Sequence, residues 1–180
     1  MNKKTIPAFK KCAQGLMALA LDATGHDLVY QELARRDAKL KNMTCQDFGA
    51  EYVPVKLALG CFFWTNCCEI HNIADKETRN IYFKEVMNLF EGPRSLGSAS
   101  RFSESLYAAN ADKENSPILG IMVHLFHKLK LTTLGGPENE DEKSVSQGLC
   151  FMMEVSDAFK TVFEDRFNDF IYQQNDGMHA

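Results

Sequence analysis

No stretch of this sequence approaches the roughly 18 consecutive apolar residues that mark a membrane-spanning helix, so nothing in it is expected to cross a bilayer. Alternating apolar and polar positions, the signature of a half-buried strand, are also missing, as are internal repeats and low-complexity tracts. Those absences leave the all-α class. Tryptophan occurs once, at position 64. Two enzyme signatures begin and fail. His26-Asp27 is the dipeptide of metal phosphohydrolases, but that chemistry needs an earlier histidine and none precedes it. The run from Gly92 to Ala99 spaces its glycines as a phosphate-binding loop would, but Ser98-Ala99 stands where a lysine and a hydroxyl residue are required.

What is present is ordinary for a globular chain: 180 residues, 45% hydrophobic and 24% charged, which is enough for one domain with a core that needs no metal or disulfide staple. We therefore expect a single all-α domain over residues 1–180, frayed at 175–180. Lys3, Lys4, Lys10 and Lys11 ahead of an apolar stretch loosely imitate a signal peptide. Cys12, Gln14 and Gly15 dilute it, and Phe9, Ala13, Leu16, Met17 and Ala20 recur at helical spacing, so an amphipathic first helix is the better reading. Of six cysteines, Cys61, Cys67 and Cys68 crowd into one apolar segment. Neighbouring side chains diverge on a helix, so reduced core thiols in a cytoplasmic protein are expected.

The net charge is −4, unevenly spread. Residues 1–43 carry eight Lys/Arg against four Asp/Glu, whereas residues 138–180 carry three against ten. The overall sign argues against a nucleic-acid binder, and the asymmetry suggests a basic first section lying beside an acidic last one, within one molecule or between two copies.

The organising stretch is Val53 to Ile73, too evenly apolar for a surface. We expect a buried central helix over about residues 54–73, wrapped by the others in a bundle of six or seven helices. At about 100° per residue, Val55, Leu59, Phe62, Ile70 and Ile73 share a core face, and Lys56, Gly60, Trp64, Cys67 and His71 form a seam on another. Thr44 with Asp47 looks like a helix start, and Pro54 either opens the central helix or lies inside a longer one. Other helices are expected at Ile6–Leu21, from a cap at Asp27 to about Met43, from Asp75 through Phe90, over Ser103–Asn110, from Ser116-Pro117 to about Leu131, and from a capping box at Ser144 and Gln147 to about Gln174. The segment from Gly92 to Arg101 reads as a loop.

Candidate chemistry is sparse. Cys67 and His71 lie one turn apart and could ligate zinc or haem, Gly60 would let a flat ligand approach, and Trp64 could wall a pocket. Against this stands a core histidine bonded to a neighbouring helix, with Gly60 serving a helix crossing. Arg94 and Arg101, among serines, could hold an anion. His124 and His127 have chelating spacing but sit beside Lys128 and Lys130 on the polar side. Glu154 with Asp157, and Asp165 with Asp169, share a side of the last helix, as acidic residues on a solvated face do. An enzyme is not indicated. No cofactor is called for. Thirteen Phe and eight Met exceed what a minimal bundle needs, pointing to a protein-interaction module of adaptor, chaperone-like or regulatory type whose partner could be a second copy of itself. The alternative is a small-molecule sensor or carrier with an apolar pocket beside Trp64 for a lipid-like, aromatic or haem ligand. A metal-dependent enzyme using His71 or the His124/His127 pair comes third.

Overall fold

A computed structural model describes residues 5–36, 40, 42–91, 96–111, 116–129 and 139–176. Among them there is no strand, and the chain forms eight helices: α1 (Thr5–Leu21), α2 (Ala23–Arg36), α3 (Cys45–Ile70), α4 (Lys76–Arg79), α5 (Ile81–Leu89), α6 (Leu96–Ala111), α7 (Pro117–Lys128) and α8 (Asn139–Asp176). The all-α expectation holds, with α4 no more than a single turn. No helix among the described residues is long and apolar enough to cross a membrane.

The central rod is α3, 26 residues long, which packs against every other helix. Thr44 starts it: the side chain accepts from the Asp47 N–H at 3.0 Å and its hydroxyl donates to Asp47 at 2.7 Å. Pro54 lies inside the helix, so of the two readings of that proline the longer helix is the one observed. Residues 54 to 60 are buried on every side, whereas beyond Phe63 burial narrows to Trp64, Cys67 and Cys68. Ile70, assigned from the helical wheel to the core face, is 68% exposed, because α3 emerges from its sheath in its last turn. The helix ends at Ile70 rather than Ile73: Asn72 takes a left-handed conformation (φ 55), which breaks the helix and which asparagine tolerates better than most residues.

Several boundaries differ from those read off the sequence, each for a local reason. The cap of α2 is Asp22, not Asp27: its two carboxylate oxygens accept from the N–H groups of Thr24 and Gly25, both at 3.2 Å, and Gly25 and His26 fall inside the helix. Asp27 instead accepts from the Cys45 thiol at 2.8 Å. Leu96 to Arg101, read as loop, is the first part of α6. Its polar sequence hides one anchor, the fully buried Phe102, whose ring meets Phe83 at 6.0 Å and Phe90 at 5.6 Å. Helix α8 begins at Asn139, ahead of the capping box expected at Ser144. As expected, Asp75 caps α4, accepting from the Thr78 N–H at 2.8 Å. A break at Asn80 then divides what read as one helix into α4 and α5. The expected loop at 92–95, the break at 134–137 and the tail from 177 lie outside the described residues.

The end of α1 is tied down by side chains from two other helices. Lys56 Nζ donates to the Leu19 carbonyl at 2.8 Å and His26 Nε2 to that of Ala20 at 3.0 Å, satisfying two last-turn carbonyls that have no partner within their own helix. Burial pulls Lys56 down to about 8, opposed by the Asp22 carboxylate. Near the middle of α1, Gln14 donates to Glu85 at 2.7 Å and Lys10 pairs with the same carboxylate at 3.2 Å, fixing α1 to α5. The basic first section does lie beside the acidic last helix, with α1 and α2 both packed on α8. Rings mediate much of that contact: Phe9 meets Phe170 at 4.9 Å, and the Arg36 guanidinium lies 4.8 Å from the Phe151 ring.

All six cysteines are free thiols. Burial pushes Cys12, Cys61 and Cys67 from an ordinary 9.0 up to about 12, and Cys68 to about 11. An unfolded chain would ionise these thiols near pH 9 while the folded one keeps their protons, so stability falls as pH rises above 9. Lys56 works the other way between about 8 and 10.5, but it is one group against four. Urea midpoints should therefore decline from about pH 9 to 10.5. Cys67→Ala should soften that slope by up to about 1.4 kcal/mol per pH unit. A midpoint that held constant across this range would contradict the assignment.

Candidate functional site

The seam Gly60, Trp64, Cys67, His71 is drawn together with parts of α1, α4, α5 and α8, but its members do different things. Trp64 is 1% exposed. Its indole is met edge-on by Phe9 at 6.2 Å and Phe167 at 5.1 Å and stacks on Tyr82 at 5.9 Å, while its N–H donates to the Thr78 carbonyl at 3.1 Å. Gly60 serves Tyr82: a Cβ at position 60 would stand 2.2 Å from the Tyr82 hydroxyl and 2.5 Å from the ring carbon bearing it. The glycine is needed for close approach, and what approaches is a side chain of this same chain. Cys67 is buried. His71 closes α3 as its C-cap residue and donates from Nε2 to Asn168 Oδ1 at 2.6 Å, with its ring 5.8 Å from that of Phe167. This is the neighbouring-helix hydrogen bond weighed against ligation in the sequence.

Beside Trp64 the structure does open a cleft, of about 260 Å³, between α3, α5 and α6. Phe62 and Trp64 from α3, Phe83 from α5 and Leu106 from α6 form its apolar walls, and Arg79 and Tyr82 line it too. Neither Cys67 nor His71 does. Cys61, a third thiol of the same helix, lines the cleft with its pKa pushed up by burial. Phe83 is 41% exposed, the most open of the aromatic walls.

Two atoms set this cleft apart. Among the described residues, Arg79 Nε and Tyr82 Oη are the buried side-chain nitrogen and oxygen atoms that have no hydrogen-bond partner, and both residues line it. An unpaired buried polar atom typically costs about 1–3 kcal/mol, more when the group is charged, so such atoms are rare in folded proteins. Elsewhere on the Arg79 guanidinium, Nη2 donates to Glu69 at 3.2 Å. Burial holds the Tyr82 hydroxyl well above its ordinary pKa, so it stays protonated and able to donate. Sequence reasoning found Gly60 and Trp64 but missed Arg79 and Tyr82. The only local signal was the capped turn at Asp75, which sets Arg79 and Tyr82 three residues apart on either side of the break at Asn80.

The other candidates lie elsewhere. Arg101 donates from Nε to Glu51 at 2.7 Å, and Arg94 is outside the described residues. His124 is half-buried near Arg101 and Lys128, its pKa lowered by burial and then by Lys128; His127 is exposed. Lys128 pairs with Glu104. Among the described residues no three His, Cys, Asp or Glu side chains converge as a metal would require. Glu154, Asp157, Asp165 and Asp169 are exposed on α8. No family model matches this chain, and comparison with curated proteins and with solved structures gives no match.

If the Tyr82 hydroxyl is unpaired, Tyr82→Phe should leave urea stability unchanged or raise it, against the usual direction for a buried deletion. Gly60→Ala should cost about 1–3 kcal/mol by overpacking, and less when combined with Tyr82→Phe, which removes the nearest clashing atom. A large loss of stability in Tyr82→Phe would show that the hydroxyl has a partner after all.

Proposed function

We propose that this protein is a non-catalytic small-molecule sensor or carrier, binding its ligand in the cleft beside Trp64. The observation that carries the reading is the coincidence of an apolar recess, walled by aromatic side chains of α3 and α5, with buried donors that nothing among the described residues satisfies. Its size limits the ligand. At about 260 Å³ the cleft falls just below the roughly 300–1,000 Å³ range of drug-sized sites. That suits a single ring or short branched chain better than a lipid or haem. The free thiols are in keeping with a reducing compartment such as the cytoplasm.

A second reading, a protein-interaction module, is favoured by the large apolar side chains left on the surface, among them Leu28, Ile70, Tyr107 and Tyr172, which are 64%, 68%, 76% and 64% exposed. They sit on four different helices, α2, α3, α6 and α8, rather than on one face.

The two readings part in one experiment on the purified protein. Because Trp64 is the sole tryptophan, small hydrophobic compounds should alter its emission saturably at one site. A ligand at about 100 times its Kd should add about 2.7 kcal/mol to stability. Indifference of Trp64 to every such compound, together with concentration-dependent dimerisation in sedimentation equilibrium, would transfer the case to the interaction reading.

A further inference from the structure

We propose that the ligand of this cleft is a compact carboxylic acid, aromatic or branched aliphatic, whose apolar body lies against Trp64, Phe83 and Leu106 and whose carboxylate accepts from Arg79 Nε and the Tyr82 hydroxyl. This inference rests on the ligand-binding reading above and adds the chemistry of the headgroup.

The sign and type of the headgroup follow from the two unpaired atoms. Arginine only donates, and a protonated tyrosine hydroxyl with no acceptor nearby has its proton to give. Two unpaired donors on residues lining one cleft call for a group with two acceptor oxygens, which a carboxylate supplies in one plane. Arg79 is also the one charged residue among the described residues lining the cleft; Thr65, Asn66 and Asn80 add neutral polarity at the edge. An anion is therefore favoured over a cation. Glu69 holds the guanidinium from its Nη2 side and leaves Nε–H to the ligand. That pairing fixes the fork in place before any ligand arrives, so less rotamer freedom is lost on binding.

Both donors are sealed from water in the free chain. Entry thus requires a side chain lining the cleft to move. The unliganded protein then carries two uncompensated donors that a bound carboxylate would satisfy. Groups that weaken the fold and strengthen a binding step belong to sites in which stability is exchanged for function.

The test uses the full chain at about pH 7 with phenylacetate and isovalerate as acids and methyl phenylacetate as the neutral match, followed by Trp64 emission and by calorimetry. The acids should bind at one site, phenylacetate about tenfold or more tighter than its ester, since only the acid presents a charge-assisted acceptor. Arg79→Gln should abolish that preference. Tyr82→Phe should weaken the acid severalfold while leaving the ester unaffected and the fold as stable as before, a pattern that a merely structural tyrosine would not produce. Should Arg79→Gln fail to fold, Tyr82→Phe alone carries the comparison. Equal binding of acid and ester, or undiminished acid binding in Tyr82→Phe, overturns the headgroup assignment while the ligand-binding reading stands. Binding of neither acid nor ester overturns this inference, and silence toward neutral hydrophobic compounds as well removes the broader reading with it.

Discussion

The enclosure of the Trp64 indole is the constraint on which the rest of this molecule depends. Phe9 from α1, Tyr82 from α5 and Phe167 from α8 close on one ring system, two edge-on and one stacked, and the carbonyl of Thr78 in α4 takes its N–H. Each such aromatic contact is worth about 0.5–1.5 kcal/mol beyond the area it buries. The larger effect is geometric. Elements far apart in sequence are held to one point, and the aromatic network continues from Tyr82 to Phe163 and from there to Phe63, back on α3. The hydrogen bond to Thr78 also positions the turn that carries Arg79, so the packing of the core and the shape of the cleft are set by the same side chain.

That dependence explains an otherwise odd pairing of tight and loose fitting. Gly60 allows Tyr82 to press so closely on α3 that no Cβ could stand between them, yet the hydroxyl at the tip of that tyrosine finds no partner among the described residues. A phenylalanine would fill the same space without desolvating a hydroxyl. Close packing therefore accounts for the ring but not for its oxygen, the atom on which the proposed headgroup contact rests.

Much of the architecture was legible because helical periodicity reports burial directly. The run from Val53 announces itself by having hardly any polar side, and between 54 and 60 every side is covered. Thr44 and Asp75 were readable as caps because the side chain that does the capping is local. Asp27 misled for the same reason, since Asp22 offers an equally good local cap earlier in the chain and only the packing of His26 onto the end of α1 selects it. The segment from Leu96 to Arg101 had too little apolar periodicity to read as helix; the contacts of Phe102 with Phe83 and Phe90 support it from outside.

From its own pattern the sequence determined that the chain is helical, that the stretch around position 64 is the interior rod, and that its lone indole lies where a pocket could form. These properties repeat along the chain at a helix's period and need no knowledge of what lies across from them. Tertiary structure alone decided which neighbours complete the cleft, because Arg79, Tyr82, Phe83 and Leu106 meet Trp64 only once the helices fold back on α3. It also decided that His71 would spend its ring nitrogen on Asn168, 97 residues away, a partner no local spacing could name.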